Sequence, residues 1–149
     1  MMTGQYIHFR LDSTSELVSY PTNDIRELDW HEDLLMIQRF YRYWLPKEHE
    51  DIQPPAEDEQ EVGNPIALVR NDEILSFAIP FSFKEGEIEI GAVATSPSEV
   101  NKGYCRRVIC EMARRILDSG MCATLTTGPD NLAMRAAARS IGMREIDGV

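Results

Sequence analysis

The sequence predicts a single α/β (α+β) domain: a sheet begun as an antiparallel meander, with helices flanking it. Three observations carry this reading. Residues 64–95 alternate β-rich runs with turn signals, residues 103–118 and 131–140 have helical periodicity, and a short β-rich run follows each of those helices. At 149 residues the chain has room for one domain, and 43% hydrophobic residues fill one core.

Taken in order, Tyr6–Leu11 reads as a strand, and Ser13-Thr14-Ser15-Glu16 resembles a helix cap. Asp33–Leu45 reads as a helix, with Leu34, Ile37, Phe40/Tyr41 and Trp44 at i, i+3, i+4 spacing, the pattern of a core-facing stripe. From Pro46 to Gly63 the chain carries seven acidic residues and three prolines and buries almost nothing, so 46–63 reads as an acidic surface loop. The single domain thus divides into an N-terminal part (1–45), that loop, and a core (64–149).

Past the loop, Pro65–Arg70 and Glu73–Phe77 flank Asn71-Asp72, a pair that tolerates the positive φ of a tight hairpin. Ala78–Phe83 and Glu87–Thr95 flank a second turn signal, Lys84-Glu85-Gly86. Strict alternation in the last strand places Ile88, Ile90, Ala92 and Ala94 on one face and Glu87, Glu89, Gly91, Val93 and Thr95 on the other. A helix from Gly103 to Asp118 follows, with Cys105, Val108/Ile109, Met112 and Ile116 as its apolar stripe and Gly120 as its C-cap. Ala123–Thr127 is a short strand, Asp130 or Asn131 caps a helix running to about Ser140, Gly142 ends it, and Met143–Ile146 reads as a last strand.

Charge and cysteine usage exclude several classes. The net charge of −10 argues against nucleic acid, which needs a clustered positive footprint. No apolar run approaches the roughly 20 residues of a membrane span, and Met1–Gln5 lacks the pattern of a secretory signal. Cys105, Cys110 and Cys122 form no CxxC pair, so reduced thiols in a cytoplasm are expected rather than disulfides or structural zinc. His8, His31 and His49 have no metal-ligand spacing, and no metal site is expected.

One segment stands out against the acidic background. Residues 100–117 hold Lys102, Arg106, Arg107, Arg114 and Arg115 against Glu111 alone, which suggests a small anionic ligand or an ordinary solvated helix face. The segment begins at the junction Pro97–Cys105, where a strand passes through a tight loop into a helix start. Uncapped N–H groups and the positive dipole end suit a phosphate there, and Gly103 permits close backbone approach.

The order of meander, anion loop, helix, strand and short helix resembles the GNAT superfamily, N-acetyltransferases that use acetyl-coenzyme A. The resemblance covers roughly residues 64–146. It rests on Glu89-Ile90-Gly91 with Pro97 eight residues after the Glu, on Val100–Cys105 at the pyrophosphate loop, and on Asn131, Gly142 and Met143 in the last helix. Gly103 keeps the central glycine of that loop, while Val100 replaces its polar first residue and Cys105 its small last one.

The resemblance implies a mixed, mostly antiparallel sheet in which the strand ending near Thr95 splays from that beginning near Ala123, opening a slot for coenzyme A. Acetyl-CoA is then the co-substrate, held by Val93, Ala94, Thr95, Val100, Asn101, Lys102, Gly103, Tyr104, Cys105, Arg106 and Asn131, with a backbone N–H near Ala94-Thr95 facing the oxyanion. The implied chemistry is direct attack of an amine on the thioester. Glu89, and behind it Glu87, are the candidate bases. Seven residues after Asn131, where many members carry a tyrosine that protonates the leaving thiolate, stands Ala138; water or Tyr104 are the replacements.

Three functions follow as expectations: an N-acetyltransferase acting on a primary amine of a small molecule or peptide, a non-catalytic acyl-CoA-binding sensor, or an interaction domain. An acidic N-terminal half favours a cationic amine by steering. With seven residues after Gly142, one wall of the acceptor cleft is expected to be short, open, or completed by a second subunit in a homodimer.

Overall fold

A computed structural model describes residues 5–56 and 63–146. Seven strands form one sheet: β1 (Ile7–Leu11), β2 (Ile25–Glu27), β3 (Ile66–Arg70), β4 (Glu73–Lys84), β5 (Glu87–Thr95), β6 (Cys122–Thr127) and β7 (Arg144–Ile146). The helices are α1 (Leu34–Tyr41), α2 (Tyr104–Asp118) and α3 (Leu132–Ser140). The strand order is β2-β3-β4-β5-β6-β1-β7, antiparallel at every pairing except β5 with β6, which are parallel. The sheet is therefore mixed and mostly antiparallel, as expected.

Helices α2 and α3 cover one face over a core of Phe9, Leu11, Leu68, Ile90, Ile109, Met112, Leu125 and Ile141. Helix α1 covers the other face only at β3 and β4, where Ile37, Phe40, Ala67, Ile74 and Phe77 pack together. Among the described residues no helix is long and apolar enough to cross a membrane.

The meander forms as the turn residues require, with Asn71 (φ 53°) and Asp72 (φ 60°) supplying the positive φ pair of the first hairpin and Gly86 (φ 81°) that of the second. The two runs expected between those hairpins are one strand, β4, since no turn-forming residue lies between Phe77 and Ala78. Pro80 is tolerated inside it because β3 pairs no further than Ala78, so its missing N–H costs no rung on that side. The first helix stops at Tyr41 rather than Leu45: Pro46 disfavours helical backbone in the residue before it, and Trp44 stays 42% exposed, so little burial holds a further turn.

Strand β2 gave no sequence signal. It is three residues long, two of them charged, at the edge of the sheet. Within the acidic loop, His49–Asp51 makes one 3₁₀ turn, and Gln38 holds it by donating to the carbonyls of Glu50 and Ile52 at 3.2 and 2.7 Å. Residues 57–62 of that loop lie outside the described residues.

The far end of the sheet is the three-residue edge strand β7, and strand β1 from the N-terminal part lies between β6 and β7, antiparallel to both. Asp12, just past β1, takes ion pairs from Arg10 and Arg144, which hold its carboxyl well below the usual range. Residues 13–16 form a single 3₁₀ turn with a capping box. It abuts the C-terminus of α3, where the Val18 N–H donates to the Ile141 carbonyl at 2.9 Å. The approach is so close that a Cβ on Gly142 (φ +103°) would lie 2.1 Å from the Glu16 carbonyl oxygen.

Candidate active site

The site starts from an irregularity in β5. Pairing with β4 shifts between Ile79↔Gly91 and Phe77↔Ala94, so Ala92 and Val93 together face Ala78. Ala92 sits at φ 49°. This bulge corrects the alternation expected from the sequence. Val93 turns to the core beneath α2 beside Ile88 and Ile90, and Ala94 turns to the α1 side against Phe77's cluster.

Just before the bulge β5 leaves its neighbour. Glu87, Ile88 and Glu89 pair with Cys122, Ala123 and Thr124, and the strands share no rung beyond Glu89↔Thr124. The expected splay is therefore present. A cleft of about 460 Å³ opens beside it, with Val93, Ala94 and Thr95 on one wall and Asn131, Ala133, Ala136 and Ala137 on the other.

The floor is the β5–α2 junction. Pro97–Glu99 forms a 3₁₀ turn, Asn101 sits at φ 65°, and Gly103 at φ 80° is the N-cap of α2. No side chain caps α2, and its first internal bond runs from the Arg107 N–H to the Gly103 carbonyl, so the N–H groups of its first turn are left for a ligand. Asn131 caps α3 across the cleft by accepting from the Met134 N–H at 3.1 Å.

The basic segment resolves into mostly occupied charges. Arg114 and Arg115 both hold the buried Glu111, at 2.6 and 2.8 Å. Arg107 donates to the carbonyls of Pro21 and Asn23, and Lys102, which does not line the cleft, pairs at 3.1 Å with Glu99, which does. Arg106 is different. It lines the cleft, makes no hydrogen bond or ion pair among the described residues, and leaves its buried Nε without a partner. Its guanidinium lies 4.9 Å from the centre of the Tyr20 ring. The same guanidinium occupies the space a Cβ on Gly103 would need, 2.8 Å from Nη2.

An orphaned guanidinium beside open backbone donors fits a phosphate or pyrophosphate, so the residues present suit coenzyme A. Of the residues expected to hold it, Val93, Ala94, Thr95, Val100, Asn101, Gly103, Tyr104, Cys105, Arg106 and Asn131 line this one cleft, and Lys102 does not. Sequence reasoning missed Tyr20, which steadies Arg106 from far along the chain, and the run of alanines on α3. Small residues at 133, 136 and 137 were the available signal for that wall.

The remaining candidates divide by face. Glu87 and Glu89 point away from α2, onto sheet that α1 leaves uncovered. Glu87 is taken by Arg10 at 2.5 Å, whereas Glu89 Oε1 accepts only from the Thr126 hydroxyl, at 3.2 Å. Phe81 stands directly opposite Glu89 on β4, its ring over Gly91 and stacked on the exposed Phe83 at 5.8 Å. The Tyr104 hydroxyl accepts from Arg70 Nη1 at 2.8 Å and so points toward β3. Burial pushes the Cys105 thiol up to about 11, which suits a packing residue and not a nucleophile. Ala138 is fully buried in the core beneath α2, while its neighbour Ala137 faces the cleft. A tyrosine at 138 would meet packed core.

The chain has the fold of the GNAT acetyltransferases, as its similarity to solved structures of that family shows. Residues 80–148 match the family model described as FR47-like protein. The structure is similar to a GNAT-family acetyltransferase from Novosphingobium aromaticivorans, at TM-score 0.73 and 17% identity over 95% of this chain and 59% of that one. It is also similar to one from Colwellia psychrerythraea, at TM-score 0.71 and 13% identity over 94% and 52%. The chain thus spans between half and three fifths of the length of these two structures. Aminoglycoside N-acetyltransferase AAC(6')-Iy, solved with a bisubstrate analogue of coenzyme A, matches at TM-score 0.63 and 16% identity over 85% of this chain and 93% of that one. No curated protein sequence matches the chain.

Proposed function

We propose that the protein is an acyltransferase that moves the acetyl group of acetyl-CoA to a primary amine of a small molecule or peptide. The observation that carries this is a single cleft joining the unpaired Arg106 and the open α2 N-terminus to the β5 bulge. The pyrophosphate rests on the first-turn N–H groups of α2 and on Arg106. The pantetheine arm follows the edge of β5 past the α3 alanines. The thioester carbonyl meets backbone N–H at the bulge, where the developing oxyanion is stabilised.

The amine approaches from the uncovered face, as a free base. Its nitrogen lone pair attacks the carbonyl carbon, the C–S bond breaks, and the thiolate takes a proton from water. Glu89 lies four residues before Val93, about 13 Å of extended strand, so the amine's proton reaches its carboxylate by way of water. A thiol's ordinary pKa makes its anion a fair leaving group without a dedicated side-chain acid. Phe81 beside Glu89 offers an apolar wall for the body of the amine.

The second reading is an acyl-CoA sensor. It is favoured by one observation: position 138 is a buried alanine and the Tyr104 hydroxyl is engaged by Arg70, so neither position offers a free phenol to protonate the thiolate. Two measurements separate the readings. Calorimetry with coenzyme A tests binding, and a panel of amines with acetyl-CoA, read by free-thiol release, tests transfer. Binding with no amine-dependent thiol release from any member of the panel would leave the sensor. No binding at all would remove both.

A further inference from the structure

We infer that His8 is a positioning residue for Glu89, acting through the hydroxyl of Thr126 in a fixed line across three adjacent strands; this rests on the role proposed above for Glu89. His8 and Thr126 are direct cross-strand partners in β1 and β6. Glu89 on β5 is level with Thr124, two residues before Thr126. Because β5 and β6 part at that rung, no β5 side chain stands opposite Thr126, and Glu89 reaches diagonally into the space. The hydroxyl of Thr126 donates to Glu89 Oε1 at 3.2 Å, and His8 Nδ1 lies 3.1 Å from that hydroxyl's oxygen, Thr126 Oγ1.

Proton accounting fixes the direction of the line. An ionised carboxylate only accepts, and a threonine hydroxyl has one proton to give. With that proton aimed at Glu89, Thr126 Oγ1 can only accept from His8, so His8 Nδ1 carries hydrogen. The reverse arrangement would set two lone pairs facing each other at the Glu89 end. His8 is therefore held as the Nδ1–H tautomer, and protonation at Nε2 adds a positive charge without breaking the line.

The surrounding charges leave this line separate. On the same face Arg10 of β1 is bound to Asp12 and to Glu87 of β5, Arg144 of β7 is bound to Asp12 and Glu16, and Cys122 of β6 contacts Arg10. The residue of β7 level with His8 is Ile146, which is uncharged. Glu89 is thus the carboxylate to which His8 is coupled. Holding one carboxylate oxygen through Thr126 leaves the other to take the amine's proton by way of water.

The test needs no turnover to begin. Nitrogen-15 shifts of His8 in the ligand-free protein are expected to show the Nδ1–H tautomer, and Thr126→Val is expected to convert it largely to the Nε2–H form that free imidazoles prefer. A wild-type His8 already in the Nε2–H form, or one unmoved by Thr126→Val, overturns the inference. With an amine substrate in hand, Thr126→Val and His8→Ala are expected to lower kcat/KM about tenfold and shift its acidic limb, with Thr126→Ser restoring both. Coenzyme A affinity should stay within about twofold throughout. An unshifted limb together with unchanged rate also overturns it. Absence of turnover in the wild type would sink the proposed transfer reaction alone, since the tautomer still reports whether the line exists.

Discussion

Above the N-terminus of α2, the cleft is lined mostly by small and apolar residues, among them Gly103, Ala133, Ala136 and Ala137, with Arg106 as its cation and Glu99 at the loop. Across the sheet, β5, β6 and β1 present Glu87, Glu89, Thr126, His8 and Arg10, knitted by side-chain hydrogen bonds. In the function proposed above, the first region would bind by shape and by groups every residue owns, and the second would work through the identity of its side chains. The difference teaches where substitution should hurt. In the cleft, adding atoms does the damage; on the polar face, removing a functional group does.

Four measurements sharpen or break that contrast. The largest effect is expected from Gly103→Val, which strains a positive φ and drives a side chain into the Arg106 guanidinium. Coenzyme A affinity should fall by more than about 10²-fold by calorimetry, with the thermal midpoint checked separately for folding. Equal affinity would remove the cleft assignment. Next, Glu89→Gln should lower kcat/KM by roughly 10²-fold while leaving coenzyme A affinity unchanged. A loss of affinity instead would mean that the two regions are not separate.

Within the cleft, Arg106→Ala should weaken coenzyme A about tenfold, as loss of a charge-assisted contact does, and Lys102→Ala no more than about threefold. Reversal of that order would show that the occupied cation of the loop, not the orphaned one, meets the phosphates. The smallest effect belongs to Cys105. Replacement by alanine should leave turnover within about twofold, and alkylation of the folded protein at pH 8 should run roughly 10²-fold slower than at an ordinary thiol. Its folded value is raised to about 11 from an ordinary value near 9, so the associated stability is complete below pH 9 and is lost as pH climbs through 11.

The cleft was legible in the sequence because its geometry is written in special residues. Pro97 and Gly103 mark a loop, Asn131 marks a cap, and Gly142 marks a stop, each for a backbone reason that holds in any context. The bulge left one signal that the sequence reading did not use, the isolated strand glycine Gly91, while Ala92 adopts its positive φ only in the finished sheet. Glu89 was identifiable as a candidate from its place before the loop. Its partners were not, since His8 and Thr126 come beside it only through pairings between distant strands. Charge counting left two readings open, a small anionic ligand or a solvated helix face, and ion pairs or backbone carbonyls occupy four of the five cations, leaving Arg106.

Strand β1 sits between two strands that are made more than a hundred residues later, with Ile7 opposite Thr127 and His8 opposite Ile146. A ribosome adding about 5–20 residues per second therefore leaves β1 without its partners for roughly 6–24 s after it is made. During that interval Phe9 and Leu11, both fully buried in the finished protein, have no sheet to join. The meander β3–β5 completes its own hairpins meanwhile, from contacts local in sequence. Birth order and spatial order are thus opposed: β1, synthesised before the other six described strands, is among the last of them to dock, and the polar line through His8 is assembled only when it does.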